Sequence, residues 1–212
     1  ERGPRAERKP WVNPWNLANM LSTFRILATV PLVLLIIWDT APGYLAAFWL
    51  FIAVAVTDTI DGRLARKYGW VSNIGIFLDL TADKIYTAGI LVAMVSVSLL
   101  DPWAAIIILV REFVVTGLRS FAAAEGHVIP AGRWGKLKML VTIVSLAWIL
   151  ARANLDRGGL LTAVDFGGAL SWLASLSSSV LWLAVALTLM SGFEYLWGAR
   201  TVFRQPPRQP NA

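Results

Sequence analysis

Six stretches of this chain are apolar for about the length that a lipid bilayer demands, and this limits the fold more than any other feature. A spanning helix needs about 20 mostly apolar residues. The stretches run Met20 to Trp38, Tyr44 to about Ile60, Ile74 to Leu100, Trp103 to Ala124, about Lys136 to Ala153, and Leu170 to about Trp197. In hydrocarbon the backbone must satisfy its own polar groups, which a helix does internally. The expected fold is all-α and integral to a membrane: a six-transmembrane-helix bundle over residues 16–203, between polar tails at 1–15 and 204–212. Composition agrees. Of 212 residues, 57% are hydrophobic and only 15% charged, against roughly 25% charged in soluble domains. The absence of Cys excludes disulfides and thiolate metal sites.

The formal charge of +6 does not imply a nucleic-acid partner, because the basic residues flank the apolar runs and so face membrane lipids. The N-terminal tail holds Arg2, Arg5, Arg8 and Lys9. The connection after the second run holds Arg63, Arg66 and Lys67. The region before the fifth holds Arg133, Lys136 and Lys138, and the C-terminal end Arg200, Arg204 and Arg208. The other side has Arg152 and Arg157, offset by Asp156 and Asp165. The positive-inside rule puts both termini in the cytoplasm. The Trp residues, such as Trp11, Trp15, Trp103 and Trp197, mostly flank the runs, as an interfacial belt does.

Four aspartates interrupt this pattern: Asp58, Asp61, Asp79 and Asp83, in a chain with 13 acidic residues. On a helix each residue turns about 100°. Asp58, Asp61, Gly62 and Ala65 therefore share one face, and Gly75, Asp79 and Asp83 form a second stripe. Two antiparallel helices can point these stripes at each other. Unpaired carboxylates are expensive inside a membrane. Protonation, pairing with Arg or Lys, or a metal relieves the cost. Oxygen-only ligands suit a hard cation such as Mg2+ or Mn2+, and pairs of such ions recur in phosphoryl chemistry. Arg63, Arg66 and Lys67 suit an anionic phosphate. Single charges at span ends commonly just pair or snorkel. That reading does not account for the small residues on the same faces.

The segment reads D-x2-D-G-x2-A-R-x8-G-x3-D-x3-D from Asp58 through Asp83. It resembles the signature of the CDP-alcohol phosphotransferases, with Leu80 standing where many relatives carry Pro. The resemblance implies six transmembrane helices, two divalent cations, a homodimer, and transfer of a substituted phosphate from a CDP-linked donor to an alcohol, with release of CMP. It assigns Asp58, Asp61, Asp79 and Asp83 to metal, Asp83 also to the catalytic base, and Gly62, Ala65, Arg66 and Gly75 to the CDP donor. Three further segments, Asn19 to Ile26, Val110 to Arg119 and Gly135 to Met139, are similar to bacterial members whose donor is CDP-diacylglycerol and whose acceptor is glycerol-3-phosphate. This implies a bacterial plasma-membrane enzyme with its site on the cytoplasmic side.

An acceptor bearing a phosphate needs positive charge of its own. Arg119, Arg111, Lys136 and Lys138 are the candidates, with Glu112 the simple partner of Arg111 and Lys136 and Lys138 equally able to snorkel. Arg25 fits a donor-site or structural pair. Lys84 fits a pair with Asp83 or another carboxylate, and His127 a surface loop. Other acceptors for the same chemistry are phosphatidylglycerol, as in cardiolipin synthesis, and inositol phosphate. An ion-coupled transporter also buries carboxylates, but no inverted repeat is visible. A membrane scaffold leaves the Gly-Asp stripes without a reason.

Overall fold

The computed structural model describes residues 17–68, 73–124, 133–164 and 168–204, with the side chains of 17–19, 59–68, 73, 74, 76, 124, 133, 136, 164 and 201–204 outside that description. The tails at 1–15 and 205–212, and His127, likewise fall outside it. Seven α-helices carry the described chain: α1 (Leu17–Ile37), α2 (Ala41–Tyr68), α3 (Asn73–Ser96), α4 (Pro102–Ala124), α5 (Arg133–Asp156), α6 (Ala169–Ser175) and α7 (Ser177–Arg204). A 3-10 turn lies at Leu160–Val164. No strand occurs among the described residues.

By length and composition, four segments suffice to cross a membrane: Met20–Ile37, Ala41–Asp58, Leu137–Asp156 and Ala169–Arg200. The chain is an all-helical integral membrane protein. The six expected apolar runs correspond to α1 through α5 and the α6–α7 pair. Of these, α3 and α4 are 24 and 23 residues long but too charged to qualify as spans. They carry Asp79, Asp83 and Lys84, and Arg111, Glu112 and Arg119. The expected single helix from Leu170 is broken at Leu176, whose N–H donates to the Leu173 carbonyl at 3.0 Å, one residue short of the α-helical partner. Serines cause this locally. The Ser175 hydroxyl donates to the Trp172 carbonyl at 2.6 Å, competing with the helical ladder.

Large apolar side chains such as Leu27, Trp49, Val92, Trp103 and Phe193 are exposed, as lipid-facing positions should be. α1 packs against α2 and α3, α5 against α2 and α7, and α4 against α7. Gly89 lets α1 and α3 meet closely: a Cβ there would lie 2.9 Å from Thr29 Cγ2. The apolar core fills one end of the bundle, with Leu32, Ile36, Tyr44, Phe51, Ile90 and Met94 among its most buried members. Phe51 and Tyr86 stack there at 6.0 Å between centroids.

Polar ties close this same end. Asp39 sits between α1 and α2 at φ 53, a left-handed conformation that Asp tolerates better than most residues. It accepts hydrogen bonds from the Tyr44 hydroxyl and from Arg157. These two donors hold its carboxyl below the ordinary carboxylate range. Asn154, 1% exposed, donates to the Ala41 carbonyl at 2.6 Å and accepts from the Leu161 N–H at 3.2 Å. Asn154→Ala strands both backbone groups. It should cost about 1–3 kcal/mol per group left unsatisfied, read as a lower thermal midpoint in detergent, with substrate KM values unchanged. An unchanged midpoint would mean that the two backbone groups find other partners.

Candidate active site

Chain direction gathers the charged positions at the other end. Arg25 lies in the first half of α1, Asp58 in the last half of α2, and Asp79, Asp83 and Lys84 in the first half of α3. Arg111 and Glu112 lie at the middle of α4 and Arg119 in its last part, Lys138 in the first part of α5, and Tyr195 in the last part of α7. Antiparallel neighbours bring these halves together around a cavity of about 340 Å³. Arg25, Asp58, Asp83, Arg111, Glu112 and Lys138 are among its lining residues.

On one side of the cavity, Arg25 is 4% exposed. Its Nη2 donates to Asp58 Oδ1, and its Nη1 donates to Asp79 Oδ1 at 3.3 Å. One guanidinium from α1 thus joins carboxylates from α2 and α3, so both carboxylates face a common cationic position. Asp83, one helical turn beyond Asp79, lines the same cavity as Asp58. This all-oxygen donor set fits a hard divalent cation. Asp61 is in α2 with its side chain outside the description. Among the described residues, no group of three or more carboxylate or imidazole side chains is drawn together tightly enough to hold an ion. Gly62, Ala65 and Arg66 follow in α2, their side chains also outside the description. Gly75 opens α3, half-buried.

On the other side, cations surround Glu112. Lys84 Nζ donates to Asp83 Oδ2 at 2.9 Å and to Glu112 Oε2 at 3.0 Å. Lys138 Nζ and Arg111 Nη1 both donate to Glu112 Oε1, the latter at 3.3 Å. Arg111 Nη2 donates to Ser191 Oγ, and its guanidinium carbon lies 5.8 Å from the centre of the Tyr195 ring. Arg111 Nε is buried with no hydrogen-bond partner among the described residues. A buried donor left in this way calls for a ligand or water. Arg119 lines the cavity and makes no ion pair with the described residues.

Of the four expected acceptor-phosphate residues, Arg111, Arg119 and Lys138 therefore share one cavity, while the side chain of Lys136 lies outside the description. Lys84 pairs with Asp83 as expected and reaches a second carboxylate. Arg25 makes the ion pair allowed for it. Glu112 is more than the partner of Arg111, and Ser191 and Tyr195 did not stand out in the sequence at all. The only local sign of them is a small Ser191-Gly192 pair within an apolar run.

The family profile described as CDP-alcohol phosphatidyltransferase matches residues 15–190. The chain is 34% identical over 194 residues to a Bacillus subtilis protein named CDP-diacylglycerol–glycerol-3-phosphate 3-phosphatidyltransferase, covering 85% of this chain and 93% of that relative. It is 30% identical over 191 residues to a Shigella flexneri protein of the same name, covering 88% and 96%. The crystal structure of Mycobacterium tuberculosis phosphatidylinositol phosphate synthase in apo form is similar in fold, with a TM-score of 0.63 at 17% identity, over 91% of this chain and 95% of that one.

Arg25→Gln leaves Asp58 and Asp79 facing each other without their shared cation. Asp58 is only partly buried and Asp79 mostly exposed, so the cost should stay below that of a fully buried pair, at about 1–3 kcal/mol. We expect a lower thermal midpoint in chelator-treated protein, partly restored by Mg2+. A midpoint equal to that of the unmutated protein would show that the two carboxylates do not depend on Arg25.

Proposed function

Because the chain belongs to the CDP-alcohol phosphatidyltransferase family, we propose that it transfers a phosphatidyl group from CDP-diacylglycerol to glycerol-3-phosphate, giving phosphatidylglycerophosphate and CMP. The relatives named above carry that activity in their names. The observation that carries the reading is the two-sided cavity: carboxylates from α2 and α3 on one side, and Lys84, Arg111, Arg119 and Lys138 on the other. Four cations against Asp83 and Glu112 leave a surplus of two positive charges. A phosphate monoester carries about −1.5 to −2 at neutral pH. A neutral alcohol would have no use for that surplus.

In this reading α3 and α4 also cross the membrane, completing a six-span catalytic domain over 16–203, with their charges turned to the cavity instead of to lipid. The site lies on the cytoplasmic side of a bacterial plasma membrane, and the protein works as a homodimer. Asp58, Asp61, Asp79 and Asp83 would hold two divalent cations, Mg2+ or Mn2+. When bound, these neutralise the diphosphate and stabilise the departing CMP. Gly62, Ala65, Arg66 and Gly75 receive the cytidine diphosphate, the small residues leaving room and Arg66 pairing with phosphate. Asp83 takes the proton from the C1 hydroxyl of glycerol-3-phosphate. The hydroxyl oxygen bonds to the β-phosphorus as the bond from that phosphorus to the bridging oxygen breaks, and CMP leaves with the bridging oxygen. Lys84, held between Asp83 and Glu112, keeps the Asp83 carboxylate oriented and adds its charge to the acceptor pocket. Arg111, Arg119 and Lys138, with Lys136, hold the acceptor phosphate.

The test is an acceptor screen with purified protein and labelled CDP-diacylglycerol. CMP release should require a divalent cation and should be fast with glycerol-3-phosphate and slow with glycerol, inositol phosphate or phosphatidylglycerol. Equal rates with glycerol would sink the phosphate pocket, and a faster rate with another of these acceptors would reassign the reaction. Asp61→Asn and Asp79→Asn should each abolish turnover, and full activity in either variant would remove that residue from the metal set. Arg119→Ala loses a charged hydrogen bond worth about 1.5–3 kcal/mol. It should lower kcat/KM for glycerol-3-phosphate roughly ten- to a hundred-fold and leave the KM for CDP-diacylglycerol nearly unchanged. A purely structural Arg119 would instead lower the thermal midpoint and spare that ratio.

A further inference from the structure

Glu112 occupies the middle of the cation cluster, and its side chain is only 15% exposed. Its two oxygens collect Lys84 from α3, Lys138 from α5 and Arg111 from its own helix. Arg111 then extends to α7. Ser191 accepts from it, and Gly192 leaves it room: a Cβ on Gly192 would come within 3.2 Å of Arg111 Cγ. Four helices therefore meet through one carboxylate and the arginine beside it.

Three like charges in a cavity with apolar walls repel strongly, because the low dielectric screens them poorly. Without a central anion Lys84 would keep only its contact with Asp83, and Arg111 and Lys138 would turn toward solvent. An incoming phosphate would then have to gather them, and ordering such long side chains costs about 0.5–1.5 kcal/mol each. A carboxylate already at the centre removes that cost in advance.

We propose that Glu112 is the positioning residue of the acceptor pocket, holding Lys84, Arg111 and Lys138 as a preformed cradle for the phosphate of the acceptor. The inference rests on the glycerol-3-phosphate reading and assigns the organisation of that site. Glu112 does not touch the reacting atoms. Its effect passes through the three cations.

The proposal fixes the sign of a measurable change. By charge alone, removing an anion beside an anionic ligand strengthens binding, so Glu112→Gln would lower the KM for glycerol-3-phosphate. A positioning role requires the reverse. In full-length protein assayed in detergent with CDP-diacylglycerol and Mg2+, Glu112→Gln should raise the acceptor KM by about tenfold or more, the scale of one charged hydrogen bond. The KM for CDP-diacylglycerol should hold within about twofold. Glu112→Asp, which keeps the charge on a shorter arm, should recover part of the loss. Ser191→Ala frees Arg111 from α7 with little change in volume and should raise the acceptor KM by about threefold or more. If Glu112→Gln does not fold, Glu112→Asp decides the matter by the same criterion, because its shorter arm cannot hold all three cations at once. An acceptor KM that falls or stays constant, or that rises only in step with the donor KM, overturns the proposal. If the unmutated protein accepts glycerol as readily as glycerol-3-phosphate, the reading beneath it fails first and the cradle with it.

Discussion

A charge inside a bilayer is tolerable beside its opposite, and in this bundle the opposite comes repeatedly from another helix. The magnitudes make this a condition for folding. An isolated charged residue at mid-span costs about 2.5–3.5 kcal/mol, while a large aliphatic residue returns only about 0.3–0.6. The three charges on α4 would outweigh its apolar side chains if that helix stood alone in lipid. Glu112 meets Lys84 and Lys138 from α3 and α5, and Arg111 meets Ser191 from α7. Arg25 does the same for α1, α2 and α3 through Asp58 and Asp79. The ion pairs neutralise charge and join helices in one act, and the Ser191 hydroxyl ties Arg111, already paired with Glu112, to α7.

The two ends of the molecule are consequently held by different physics. At the end near Asp39, dispersion and burial do most of the work, supplemented by Asn154 and the Asp39–Tyr44–Arg157 contacts. At the other, ionic contacts border open space, and their geometry is adjustable because Lys and Arg arms are long. A close-packed end beside a polar, hollow one lets the chain keep a fixed topology while leaving room for a ligand. The close approach at Gly89 supports this by bringing α1 against α3, which sets Arg25 within reach of Asp79.

How much of this could be read from the sequence follows from the range of each signal. Helix positions depend on runs of about 20 apolar residues. The expected Trp103 to Ala124 therefore differs from α4 by one residue at its start, and the expected start at Met20 from that of α1 by three. The stripe of Asp79 and Asp83 follows from helical spacing alone. The break at Leu176 was not legible, since hydropathy runs unbroken through it and only serine side-chain competition interrupts the ladder. Nor was the reach of Glu112. Its neighbour Arg111 is evident from adjacency, but Lys84 and Lys138 lie 28 and 26 positions away, and no local spacing tells which helix will face it. Ser191 and Tyr195 stayed hidden for the same reason: their apolar surroundings look like any lipid-facing stretch until α7 is packed against α4.

The charged residues that line the cavity gather toward one end of the bundle, and this gives the chemistry proposed for it a sidedness. A donor with two acyl chains keeps them in the monolayer whose head groups are level with the cavity. The transferred phosphatidyl group never leaves that monolayer. Every turnover then exchanges one anionic lipid for another within a single leaflet, and the opposite leaflet receives product only as fast as lipids move across the membrane.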